Sequence, residues 1–261
     1  MQKNSAFPNS SELKEKYLSK SLIRKGDLRK LFLSKNRNLS EQEFRRVMYS
    51  MERNGQIIPI GAGLFGNCLL SNSSDKKKYS PVISTNAENI SLRLLEKFPY
   101  SPHVVWETNL LREFMVMQPS QNLIIIETEK DSMESFFNYL KQHSIPNVFI
   151  DPDQLTFERY ISDLPESILV FKKITQAPVI NQNVITLARL EKILVDVFSD
   201  TERFYAFHGQ ELINIFENAF SNYWINTKTL FRYAGRRNSG QKIKDFINHQ
   251  TRINLLQYGG I

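Results

Sequence analysis

Residues 39–65, LSEQEFRRVMYSMERNGQIIPIGAGLF, set apolar and polar positions in two successive periods. Phe44, Val47, Met48 and Met51 recur at i, i+3, i+4 and i+7, one face of a helix, and Ser40 standing three residues before Glu43 is a capping-box start. Gly55 is placed to close that helix in a left-handed conformation. The run QIIPIGAGLF then predicts two short apolar strands around Gly61-Ala62-Gly63, a hairpin. Upstream, Leu28, Leu31 and Phe32 mark a helix in GDLRKLFLSK, and Leu13 and Tyr17 mark another in SELKEKYLSK. Three helices followed by a hairpin predict a winged helix-turn-helix over residues 1–70.

Residues 71–81, SNSSDKKKYSP, read as a linker: small, polar, charged and closed by a proline, with Lys76 to Lys78 as a solvated hinge. Beyond it, strands are expected at HVVWE, NLIIIET (residues 122–128), NVFI and SILVFKK, with a short helix at NLLREFMV and a longer one at DSMESFFNYLKQ that Asp131 and Glu134 would cap. From residue 187 the pattern turns helical throughout. Leu187, Leu190, Ile193, Leu194, Val197 and Phe198 form a broad stripe, and three more helices follow at HGQELINIFENAFSNY, NTKTLFRYAGRR and GQKIKDFINHQ. Residues 82–261 therefore read as an α/β domain with a C-terminal helical bundle, and the chain as an α/β protein of two domains.

Charge sharpens this division. The net balance is +7, but residues 1–78 hold 16 Lys and Arg against 7 Asp and Glu, whereas residues 79–227 hold 11 against 19 and residues 228–261 hold 7 against 1. A basic first domain beside an acidic middle is what a chain shows when one part meets a polyanion and the rest does something else. The outward face of the 41–53 helix carries Gln42, Arg46, Tyr49 and Arg53, with Arg45 at its edge and no carboxylate among them. Such a face fits a major groove, since Arg forks onto guanine and Gln onto adenine. On this reading Lys25, Arg29, Lys30 and Lys35 touch phosphates, and the turn at Gly61 and Gly63 approaches the minor groove. The expected partner is double-stranded DNA.

Catalytic signals are sparse. IIIETEK gathers Glu127, Glu129 and Lys130 beside a buried strand, and with Glu113 upstream it would make a divalent-cation site of the restriction-nuclease kind. Thr128, however, stands where that pattern wants an acid, and the plainer reading makes these residues strand-end surface charges. Glu107 has no evident partner. His103, His143, His208 and His249 are scattered without ligand spacing and read as surface or half-buried residues, Cys68 as a buried thiol of a reducing compartment, and IGAGLFGN as a hairpin with no following helix to make a phosphate loop. No enzyme activity, resident metal or cofactor is expected. No signal peptide or membrane span is expected either, which predicts a cytoplasmic protein. Arg232, Arg236, Arg237, Lys242 and Lys244 cluster near the C-terminus, positioned to dock an acidic segment of the same chain, a nucleic-acid backbone or an acidic protein.

A basic winged helix followed by VVWETNLLREFM, QPSQNLIIIETEKDSMESFF, LARLEKILVDVFSD and RYAGRR resembles the antitoxins and transcriptional regulators of the bacterial AbiEi (abortive-infection) type over nearly the whole chain after residue 10. Met117 stands where relatives are expected to carry His, so no catalytic role falls to that loop. The resemblance implies an N-terminal domain that represses its own operon through inverted repeats. It also implies a C-terminal domain that antagonises a cognate nucleotidyltransferase-fold toxin, in many cases without a stable complex.

Overall fold

The computed structural model describes residues 21–68 and 76–258, a mixed α/β chain with two sheets. The expected helix at SELKEKYLSK and the first part of the linker lie outside the described residues. Two compact units emerge. One comprises the chain up to Tyr79 with Phe220–Thr229 and the residues from Ile253 on; the other comprises Ser80–Ala219 and Leu230–Arg252. The first unit is therefore discontinuous in the chain.

In the first unit, strand β1 (Leu22–Arg24) leads into helix α1 (Lys25–Lys35), then α2 (Glu41–Arg53), β2 (Ile57–Gly61) and β3 (Leu64–Asn67). The strands form an antiparallel sheet in the order β1-β3-β2. The periodicity is realised: Leu28, Leu31, Phe32, Phe44, Met48 and Met51 are buried with Ile23, Ile57 and Phe65 in one core, and Phe32 meets Phe44 edge to face at 6.0 Å. Strand β1 was not anticipated, being three residues long. Lys76 is no solvated hinge: its ammonium lies 5.5 Å over the Trp224 ring and hydrogen-bonds Tyr258 Oη, within the same unit. Burial lowers its pKa and pushes the Tyr258 phenol up to about 12. Cys68 is half-buried, and that burial raises its thiol.

The second unit is built on a six-stranded mixed sheet. Its strands are β4 (Val104–Glu107), β5 (Asn122–Thr128), β6 (Val148–Ile150), β7 (Glu166–Lys172), β8 (Val179–Gln182) and β9 (Ile185–Ala188), in the order β6-β7-β5-β4-β9-β8. Alternation along the strands sorts their side chains. Val105, Ile124, Ile126, Ile168 and Val170 face helices α3 (Thr85–Lys97) and α4 (Lys130–Gln142), where Ile90, Leu94, Phe136 and Leu140 complete a core. Their neighbours Trp106, Ile125 and Glu127 therefore point to the other face. Helix α6 (Leu190–Ser199) lies there, its Lys192 reaching Glu127; α7 (Gln210–Asn222), α8 (Thr227–Arg236) and α9 (Gly240–Gln250) follow it, and the short α5 (Gln154–Tyr160) follows β6.

Several local expectations are corrected. Leu187 belongs to β9, so the helical run begins at Leu190. The segment after β4 is a 3-10 helix, Thr108–Phe114. Helix α4 starts at Lys130 with Glu129 as its N-cap and no side-chain cap bond, so Asp131 and Glu134 form no capping box. His103 is buried, with its Nε2 2.8 Å from Ser91 Oγ. Glu107 is buried too, accepting hydrogen bonds from the Ser84 hydroxyl at 2.9 Å and the Asn122 amide at 2.8 Å. Among the described residues no helix is long and apolar enough to cross a membrane.

Candidate functional site

The first candidate is the outward face of α2. Ser40 Oγ accepts from the Glu43 N–H at 3.2 Å while Glu43 Oε2 accepts from the Ser40 N–H at 2.9 Å, so the capping box fixes where the helix begins. The Ser40 N–H and the Ser40 hydroxyl, both donating to Glu43 Oε2, hold the Glu43 carboxyl below the usual carboxylate range. With Phe44, Met48 and Met51 turned inward, Gln42, Arg45, Arg46 and Arg53 are exposed and Tyr49 is 67% exposed. Arg46 and Arg53 form no ion pair among the described residues. Arg45 and Arg29 both reach Glu41, at 3.4 and 3.2 Å; the pairs are solvent-exposed and weak, so a phosphate could take either guanidinium over. Lys25, Arg29, Lys30 and Lys35 are exposed along α1, and the Arg29–Glu41 contact ties them to the start of α2.

The β2–β3 turn has three consecutive residues with positive φ: Gly61 at 128°, Ala62 at 46° and Gly63 at 73°. Gly61 is not free to approach a ligand, because a Cβ there would meet Thr227 Oγ1 at 2.9 Å and the same hydroxyl bonds Ile60 O at 3.0 Å. Ala62 and Gly63 form the exposed tip, and Gly63 O accepts from the Lys25 N–H at 2.8 Å, fastening the tip to the start of α1.

The second candidate is a cavity of about 250 Å³ in the second unit. Two of its lining residues, Glu127 on β5 and Asp196 on α6, hold Lys192 Nζ between them, itself inaccessible to solvent and one helical turn before Asp196. Trp106 Nε1 donates to Glu127 Oε1 at 3.3 Å, and Tyr233 Oη on α8 donates to Asp196 Oδ1 at 2.8 Å. Burial raises the Glu127 carboxyl, opposed by the Lys192 charge. Burial also works against the Lys192 ammonium, but Asp196 and Glu127 together outweigh it and raise its pKa. Burial and the two carboxylates push the Tyr233 phenol far up, so it stays a donor. Nearer the mouth, Arg237 Nε lies 3.4 Å from Asp196, and Arg203 bonds Asp200 at 2.7 Å with its guanidinium 5.0 Å over Phe171.

This geometry settles where the remaining predicted residues fall. Glu127 is not a surface charge. Glu129 stands exposed at the N-cap position of α4 without a capping bond, Glu113 is exposed on the 3-10 helix, and among the described residues no three acids or other ligating groups converge to hold a metal. Glu127, named for the nuclease alternative, is instead paired with Lys192 through Oε1. Of the C-terminal cations, Arg237 docks Asp196 of the same chain and Arg236 lies 3.4 Å from Gln176 Oε1, while Arg232 and Lys242 point to solvent and Lys244 is half-buried. Lys192, Asp196, Trp106 and Tyr233 were not singled out from sequence. A signal existed in LEKILVDV, where Lys192 and Asp196 at i, i+4 stand, with Glu191, in a run whose other residues are all apolar.

The sequence matches a family of unknown function (DUF6577) over residues 43–253. No curated protein matches the chain.

Proposed function

Because this chain belongs to the DUF6577 family of proteins of unknown function, its role has to be argued from its own surfaces, and we propose that it is a DNA-binding transcriptional regulator whose first unit acts as a winged helix. The observation that carries the reading is the exposed face of α2: Gln42, Arg46, Tyr49 and Arg53, with Arg45 beside them, all solvent-exposed over a buried Phe44–Met48–Met51 underside. The sheet order β1-β3-β2 and the left-handed turn between β2 and β3 support it, being the wing such a domain needs beside its reading helix. In this reading Gln42, Arg46 and Arg53 contact base edges, and Lys25, Arg29, Lys30 and Lys35 contact phosphates.

The second unit, on the resemblance to AbiEi-type proteins, opposes a nucleotidyltransferase-like toxin encoded beside it, and the first unit represses their shared operon. Selection from a random duplex library tests the regulator reading. The wild-type protein is expected to enrich one sequence class, and the Arg46→Ala/Arg53→Ala variant, folded by circular dichroism, to enrich none. Equal recovery of random duplex by both would overturn it. Growth rescue on co-expression with the neighbouring gene tests the antitoxin role.

A further inference from the structure

The cavity beside the Lys192 ion pairs has no part in the DNA reading, and one buried atom of its lining is unsatisfied. Glu127 Oε1 receives both Lys192 Nζ and Trp106 Nε1, whereas Glu127 Oε2, in a side chain only 8% exposed, has no hydrogen-bond partner among the described residues. A buried acceptor left unmade is costly, so a cavity that keeps one in its wall is shaped for a donor brought from outside. With Oε1 already taken, the site calls for a single donor.

The charges say which kind. Glu127 and Asp196, both buried, share the one Lys192 ammonium. Arg237 adds to the Asp196 side only, 3.4 Å from Oδ1, and Asp151 and Asp200 share Arg203. These four lining carboxylates are thus served by three cations, while Lys172, the remaining cation of the lining, is exposed, where water and salt screen it. An anion finds Arg203 and Arg237 engaged. A further cation, by contrast, makes good the shortfall, and against Glu127 Oε2 it offsets the burial that pushes this carboxyl up.

We propose that this cavity binds a small organic amine as its ammonium ion, one N–H donating to Glu127 Oε2 and the hydrocarbon body facing the apolar part of the lining, Ile125, Phe171 and Ile174. Its volume of about 250 Å³ is at the small end of ligand sites, which suits a monoamine with a short chain or a single ring.

Isothermal titration of the full chain at neutral pH with n-butylamine and benzylamine, each beside its uncharged isostere 1-butanol or benzyl alcohol, tests this without any DNA present. At least one amine is expected to bind one to one and about tenfold or more tighter than its alcohol. Glu127→Gln, which keeps an oxygen for Lys192 and turns an amide N–H₂ toward the cavity, is expected to weaken that amine by about tenfold or more. Ile174→Trp, which fills the cavity without touching an ion pair, is expected to weaken amine and alcohol alike, whether or not Glu127→Gln folds. No binding of either amine by the folded wild-type protein, which would leave the cavity to water, equal affinity for amine and alcohol, or an amine affinity unchanged in Ile174→Trp or in folded Glu127→Gln would each overturn the proposal.

Discussion

Trp224 occupies the space that a side chain on Gly66 would fill: a Cβ there would stand 2.5 Å from Trp224 Cδ2. Gly66 lies in the central strand of the small sheet, paired with Leu22 on one side and Ile58 on the other, so the strand cannot retreat. Gly66→Ala is expected to cost about 1–3 kcal/mol through overpacking, read as a lower urea midpoint. Adding Trp224→Leu should cost less than its effect alone, because the smaller side chain relieves the clash. Strict additivity in that cycle would show that the two residues do not press on each other.

Lys192 binds two buried carboxylates, and its loss strands both. Lys192→Met is expected to destabilise the chain by about 3–5 kcal/mol, since an uncompensated buried charge is worse than none. In the Glu127→Gln background the same substitution should cost markedly less. Denaturant titration of the four proteins of this cycle checks it, and an equal cost in both backgrounds would mean that Glu127 and Lys192 are not coupled.

His103 gives the second unit a pH dependence. Burial pushes its imidazole down to about 4, and the groups that face it, the Ser91 hydroxyl, the Ser101 backbone and the Phe136 ring, are all uncharged. The unfolded chain takes up a proton near pH 6.5 while the folded chain does not, so stability is full above that value and falls as the pH drops toward 4. The loss amounts to about 3 kcal/mol. Thermal melts from pH 7.5 to 4.5 should show this decline, and His103→Gln should flatten it. A decline of unchanged slope in the variant would assign the effect to other groups.

How far the sequence could be read depended on how local each determinant was. The α2 start was legible because Ser40 and Glu43 lie within one turn and act on each other. Strand β5 was legible because it is apolar on both faces, as a central strand must be. Helix α3 is hard to read although Ala87, Ile90 and Leu94 are spaced for it, since TNAENIS opens it with a polar run. The end of β9 falls within the helical stripe because Leu187 continues the spacing of Leu190 and Leu194, and only pairing with β4 and β8 reveals a strand. The pocket was the least legible. Trp106, Glu127, Lys192 and Tyr233 come from four elements, and nothing short-range in the chain announces that they meet. The place of Glu127 on a buried strand is the one local sign of it, and a carboxylate at a strand end fits that sequence equally well.

The most direct test of the regulator reading is fluorescence anisotropy on the library-selected duplex and on random duplex across a salt series. Arg46→Ala and Arg53→Ala are each expected to lose about 1–3 kcal/mol on the selected duplex and little on the random one, whereas Lys30→Ala should weaken both alike and lower the salt slope by about 1. Equal losses on the two duplexes for all three variants, or binding that does not change with salt, would contradict the assignment of α2 as the reading helix.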